Sequence, residues 1–327
     1  MSSFEHDSPR IRPDGQDLKA HSHAEHGSGL GSPIRFQVWP RRGLITPAWA
    51  AVCGALASGG LVLAIEPLLR LALLAFLVDV IWGGLWSALV ATDWATPLVR
   101  WQGWHRGSPD NVLPYATPDG PAARLARTWS HLRGWWTDLL RPTLGPTLAG
   151  LALSLPLALV IAGVLGARPL LLTLAAITLL QFVFARSGGD ARPVPDPQAC
   201  FEIALPWLAG HVLFASPTVP STLLALGYAL TYTGGLRMSQ DRSGLARWNL
   251  GQVIGLIVLV AWRQPLAAGI AGLLFLGQAV SQPGLFDAKT DEVESNVADR
   301  FLRFAQPWLM VTMLVAAWGL RAAGAGG

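Results

Sequence analysis

Long apolar runs separated by short polar segments dominate the chain from residue 46 onward. A helix needs about 20 apolar residues to cross the hydrocarbon core of a bilayer, and several runs approach that length. The runs are 46–65, 71–92, 143–166, 169–185, 200–215, 220–236, 248–262, 265–280 and 304–320. The pattern predicts an all-α fold, a polytopic transmembrane helical bundle of about nine helices.

The run 200–215 is the most polar of the nine. Glu202, Pro206 and His211 interrupt it, and a re-entrant segment at this place, with eight full crossings elsewhere, is the alternative to nine crossings.

The basic residues sort to alternate connections between these runs. With the N-terminus inside and nine crossings, 20 of the 24 basic residues fall in inner segments, and Arg70, Arg168, Arg263 and Arg321 remain outside. Cytoplasmic segments retain Lys and Arg. The charge pattern therefore predicts an N-inside, C-outside protein of the cell (inner) membrane with a cytoplasmic N-terminus.

Composition supports a membrane protein over a soluble enzyme. Hydrophobic residues make up 52% of the 327 residues and charged residues only 13%, whereas an average soluble domain carries about 25% charge. The net charge of +4 resides mainly in arginines beside apolar runs, so nucleic acid is not an expected partner. Cys53 and Cys200 form no CxxC pair, and neither a disulfide framework nor a structural zinc site is expected.

Two polar regions flank or interrupt the predicted bundle. Residues 1–45 are rich in Ser, Gly, Pro and Asp, and this composition predicts a disordered cytoplasmic tail, so that the bundle occupies 46–327.

The cytoplasmic loop 93–142 contains apolar residues at helical spacing over 121–141. This segment is predicted to be an amphipathic helix in the inner headgroup region; a soluble helix over the mouth of the bundle is the alternative. The predicted membrane-interface residues are Arg124, Arg127, Trp129, Arg133 and Trp136.

A few polar residues within the apolar runs are candidates for a substrate cavity. Asp79 lies near the middle of the second run, and an ionised carboxylate there costs about 2.5–3.5 kcal/mol on insertion scales. His211, Tyr228 and Tyr232 add polar groups on the fifth and sixth runs, with the two tyrosines on one helix face. Such groups suit the polar head of an isoprenoid or quinone-like lipid. Hydrogen bonds between helices account for them equally well.

Acidic residues follow several runs on the inner side. Asp287 and Asp291 are four apart after the eighth run, Asp93 follows the second and Asp241 the sixth. Carboxylate pairs at this spacing share a helix face and can hold Mg²⁺, which in turn binds a diphosphate. With the nine-crossing topology, this pattern resembles the UbiA-type membrane prenyltransferases. The resemblance implies a Mg²⁺-dependent lipid-substrate transferase with a cytoplasmic metal site.

Three functions remain open from the sequence. The first is a non-catalytic subunit, scaffold or assembly factor of a membrane complex, with the lipid bilayer and other membrane-protein subunits as partners. The second is the UbiA-like transferase, and the third is a small-molecule or ion transporter.

Overall fold

The computed structural model describes residues 45–95, 120–188, 194–238, 243–282 and 295–324. Within these ranges all regular structure is helical. The tail 1–44 and the predicted metal ligands Asp241, Asp287 and Asp291 lie outside them.

Helices occupy the positions of the apolar runs in the described part of the chain. They are α1 (Pro47–Ala57), α2 (Ile65–Leu89), α3 (Pro121–Gly134), α4 (Arg141–Leu165), α5 (Ala167–Ser187), α6 (195–214), α7 (Val219–Arg237), α8 (Ser243–Ala261), α9 (Pro265–Ser281) and α10 (Ser295–Ala322). Of these described helices, α2, α4, α5, α8 and α10 are long and apolar enough to cross a membrane. The chain therefore has several helices compatible with a multi-pass membrane protein.

The first helix is much shorter than its apolar run. The run extends to residue 65, but α1 ends at Ala57, where Ser58 donates its hydroxyl hydrogen bond to the Ala55 carbonyl at 2.7 Å. Gly59 then takes a positive φ of 72°, a conformation that glycine adopts without steric cost. The predicted extent of this helix was wrong because local turn chemistry overrides hydropathy.

Three π-helical segments interrupt helices in the described ranges, and each carries one carboxylate. They are Leu77–Ile81 within α2, Trp135–Leu140 between α3 and α4, and Cys200–Ala204 within α6, with Asp79, Asp138 and Glu202 respectively. π-Helical turns are rare and are frequent at functional sites.

Two of these π segments are followed, after one intervening residue, by a proline. Pro142 and Pro206 each occupy the first turn of the α-helical segment that follows, where a missing N–H is best tolerated. Helix α3 therefore continues into α4 without a break.

The core is built in two parts that share α1 and α6. One cluster of buried apolar side chains lies among α2, α4 and α5, and the other among α7 to α10; both include side chains of α1 and α6. Gly54 and Gly210 allow these two central helices to touch backbone to backbone. Helices can approach this closely only where small residues meet.

Glycines also bring α7 and α8 together as a tight antiparallel pair. A Cβ on Gly234 would overlap the backbone of Trp248, and a Cβ on Gly251 would overlap Thr231. Residue numbers at the contacts decrease along α8 as they increase along α7, so the two helices are antiparallel, as expected for a hairpin.

Connections that the sequence assigns to one side of the membrane lie at one end of the bundle. The outer connections touch one another: Arg168 donates a hydrogen bond to the Ser216 hydroxyl at 3.2 Å, and Gly60 packs on the backbone of Phe214. At the inner ends of α2 and α5, the rings of Trp94 and Phe184 meet edge to face at 6.1 Å.

Candidate functional site

A half-buried carboxylate marks the most polar part of α6. Glu202 lies in the π segment and accepts a hydrogen bond of 2.6 Å from the phenol of Tyr232 on α7. Its other carboxylate oxygen accepts 3.2 Å from the side-chain amide of Gln198. Both carboxylate oxygens of Glu202 therefore have a hydrogen-bond donor.

An ion-pair cluster lies one to two turns before Glu202, at the N-terminus of α6. Asp196 accepts hydrogen bonds from Arg237, at the end of α7, and from Arg247, near the start of α8, the latter at 2.9 Å. Asp196 is 54% exposed, so each pair contributes little stability, about 0–1 kcal/mol. The cluster joins three helices at the ends that the sequence predicts to be cytoplasmic, and it combines two positive charges with one negative charge.

His211 lies deeper in α6 and is fully buried. Its Nε2 is 2.9 Å from the Ser216 carbonyl oxygen, which can only accept, so Nε2 carries the proton. Its Nδ1 is 2.9 Å from the hydroxyl of Ser221, which itself accepts a hydrogen bond from the Trp207 indole N–H at 3.0 Å. With a neutral imidazole, both ring nitrogens of His211, the Ser221 hydroxyl and the Trp207 indole N–H each have a hydrogen-bond partner.

The two tyrosines of α7 serve different helices. The Tyr228 phenol donates to the backbone carbonyl of Thr312 on α10 at 3.1 Å, and its ring packs on Trp207 with centroids 5.6 Å apart. Tyr232 instead binds Glu202 on α6. The two phenols therefore bind different helices, although the tyrosines share a helix face.

Amide side chains join α8 to α9. Asn249 and Gln282 exchange two hydrogen bonds of 2.9 Å each. One to two turns away, the Gln278 amide oxygen accepts from the Gln252 amide and from the Trp248 indole, both at 3.2 Å. Gln252, Gln278 and Gln282 are buried and Asn249 is half-buried. Pairing lowers the penalty for placing these groups in an apolar environment, although within the described ranges the Gln252 Oε1 atom has no hydrogen-bond partner.

The remaining predicted carboxylates do not gather in the described part of the chain. Asp79 is half-buried in the π segment of α2, and Asp93 is exposed beyond the end of that helix. Within the described ranges, no three His, Cys, Asp or Glu side chains are placed to hold a metal ion. The Mg²⁺ site stays a prediction, since its other three ligands lie outside these ranges.

The predicted interface residues are all exposed on α3 and the π segment that follows it. Arg124, Arg127 and Arg133 point to the surface, as do Trp129 and Trp136, whose exposed fractions are 68% and 46%.

The sequence did not single out several residues that complete these contacts. Asp196, Arg237, Arg247 and Ser221 look like ordinary helix-end or helix-face residues along the chain. The available signal was positional: Asp196, Arg237 and Arg247 all lie at the predicted inner ends of consecutive helices.

The comparisons with known proteins do not add an identity to this geometry. No family model, no curated protein and no solved structure matches the chain.

Proposed function

We propose that the protein is a non-catalytic, multi-pass subunit or scaffold of a complex in the cell membrane. In this proposal nine helices cross the bilayer, with the N-terminus in the cytoplasm. The bundle presents a fixed set of helix faces to other membrane subunits.

One observation carries the proposal: in the described part of the chain, most buried polar side chains of α6 to α10 hydrogen-bond within the bundle, although the Gln252 Oε1 atom has no partner there. His211 is satisfied by Ser216 and Ser221, Tyr228 by a backbone carbonyl of α10, and Asn249 by Gln282. A reactive acid, base or ligand-binding group needs an atom left available for substrate. Groups that are each paired with a neighbouring helix fix the helix arrangement instead.

Contacts at the two ends of the bundle support the alternating topology. Predicted outer connections contact outer ones, as in Arg168 with Ser216, and predicted inner ends contact inner ones, as in Asp196 with Arg237 and Arg247. A wrongly assigned crossing between these segments would bring inner and outer connections together. The arginine distribution then favours a cytoplasmic N-terminus.

The transferase function stays a prediction, and few of the described residues support it. Asp93 lies beyond α2, where the resemblance needs a carboxylate, and Glu202 with Tyr232 adds a polar group at the inner end of α6. Neither position brings further carboxylates together in the described part.

Complementation with purification distinguishes these functions. The tagged full chain is expressed at native level, extracted in mild detergent and sized, with the variants Glu202→Gln and Asp93→Asn alongside it. A scaffold is expected to migrate with stoichiometric partners, and both variants are expected to complement a deletion strain whenever the protein accumulates normally.

An opposite pattern would overturn the proposal. If the isolated chain turns over a prenyl diphosphate in Mg²⁺, or transports a solute in vesicles, and Glu202→Gln or Asp93→Asn abolishes that activity at unchanged melting temperature, the protein is an enzyme or transporter.

A further inference from the structure

Helix α3 turns its apolar side away from the protein. Leu125, Trp129, Leu132 and Trp136 recur at spacings of four, three and four residues and so form one stripe along the helix. Their exposed fractions are 72%, 68%, 41% and 46%. In a water-soluble helix the large apolar residues face the core, so an outward stripe of this kind marks a surface that something else covers.

The covered side of α3 is the small and polar one. Ser130 and His131 are half-buried, and Gly134 is fully buried. At about 100° per residue these positions lie on the opposite side of the helix from the apolar stripe. A soluble helix over the mouth of the bundle, the alternative from the sequence, would therefore turn this half-buried side toward the bundle and leave the apolar stripe in water.

Charge identifies the surface that fits the stripe. Residues 121–141 contain four arginines, Arg124, Arg127, Arg133 and Arg141, and a single acid, Asp138. Arginine beside tryptophan and leucine on an exposed helix is the composition that binds anionic headgroups.

Helix α3 is continuous with a candidate membrane span, which keeps it next to the membrane surface. Residues 121–165 form one uninterrupted helical run, with the π segment Trp135–Leu140 joining α3 to α4. Helix α4 is long and apolar enough to cross a bilayer. A π segment followed by Pro142 is a place where a helix can bend, so α3 can turn from the crossing direction into the headgroup layer.

We propose that α3 is an arm that binds the anionic lipid surface of the leaflet next to it, with the apolar stripe in the acyl boundary and Arg124 and Arg133, which flank the stripe, at the phosphates. The proposal rests on the membrane placement of α4 and is independent of whether the bundle is a scaffold or an enzyme.

Site-directed spin labelling in nanodiscs tests this placement. The full chain carries Cys200→Ala and one new cysteine, either Trp129→Cys or Leu132→Cys in the stripe, or Ser130→Cys on the opposite side as the matched control. Each protein is placed in discs of phosphatidylcholine with phosphatidylglycerol. The collision rate of each label is measured with oxygen, which concentrates in the acyl region, and with a water-soluble nickel chelate, which stays in the aqueous phase. The stripe labels are expected to favour oxygen, and the Ser130 label is expected not to.

A charge series separates lipid binding from protein contact. In anionic discs, the stripe labels are expected to favour lipid over water more than in neutral discs. Replacing Arg124 and Arg133 by Gln is expected to lower this difference between the two kinds of disc by roughly fivefold per arginine. The proposal is overturned if the stripe labels collide mainly with the nickel complex, which means exposure to water. It is equally overturned if they are shielded from both reagents, which means coverage by a second copy or another protein.

Discussion

Gly54 of α1 lies so close to Trp207 of α6 that a Cβ at Gly54 would overlap the Trp207 carbonyl oxygen. Farther along the same pair, Gly60 packs on the backbone of Phe214. The residue numbers of the contacting positions increase together along both segments, so α1 and α6 run in the same direction. Parallel packing is what an alternating topology requires of its first and fifth crossings, and this pair is the centre on which the two halves of the core meet.

Replacing Gly54 by Ala is expected to destabilise the protein by several kcal/mol, since two helix backbones must separate to admit a methyl group. The matched control is Gly163→Ala on α4, where a Cβ meets no atom within 4 Å. There the same change is expected to be neutral or to stabilise the helix by up to about 1 kcal/mol. Thermal unfolding in detergent measures both, and equal melting temperatures for the two variants would contradict the close packing of α1 on α6.

The hydroxyl of Ser221 is expected to matter more than its size suggests. Ser221→Ala leaves the Trp207 N–H and the His211 Nδ1 without partners in a buried place, at a cost of about 1–3 kcal/mol for each unsatisfied group. Thr222→Ala on the same helix is the control, because the Thr222 hydroxyl bonds only to the Thr218 carbonyl of its own helix. A loss for Ser221→Ala no greater than that for Thr222→Ala would show that this chain of hydrogen bonds does not hold α6 to α7.

The Tyr232 phenol is expected to stabilise the protein through the charge on Glu202. Tyr232→Phe should cost roughly 1–2 kcal/mol, below the full value of a hydrogen bond to a charged group because both side chains are half-buried. In a Glu202→Gln background the same change should cost clearly less, and a double-mutant cycle on unfolding free energies measures the difference. Additive losses would mean that the two side chains do not interact.

Two serine positions report the sidedness of the bundle. Ser187→Cys, at the end of α5, is expected to react with a membrane-impermeant thiol reagent only after cells are opened. Ser216→Cys, between α6 and α7, is expected to react in intact cells. The parent chain, with buried Cys53 and half-buried Cys200, gives the background. Labelling of both positions from the same side would remove α6 from the set of full crossings.

The position of the helices was predictable because it depends on local composition. Each apolar run overlaps a described helix, since hydropathy and helix geometry act on neighbouring residues alone. The ends agree closely for runs such as 220–236 and 265–280, but not for 46–65 or 304–320. The clearest failure is local too: α1 ends early, at Ser58 and Gly59. Hydropathy averages over windows and does not register such single-residue turn chemistry.

The partners of the polar groups were decided by tertiary structure alone. Tyr228 binds a carbonyl 84 residues away and Tyr232 a carboxylate 30 residues away, although both tyrosines lie on one face of α7. Which helices surround that face depends on glycine contacts such as Gly54 with Trp207 and Gly251 with Thr231, which set distances and register between segments far apart in the chain. Sequence therefore determined where the chain is apolar and where it is charged, and packing determined which side of each helix faces protein and which polar atoms meet.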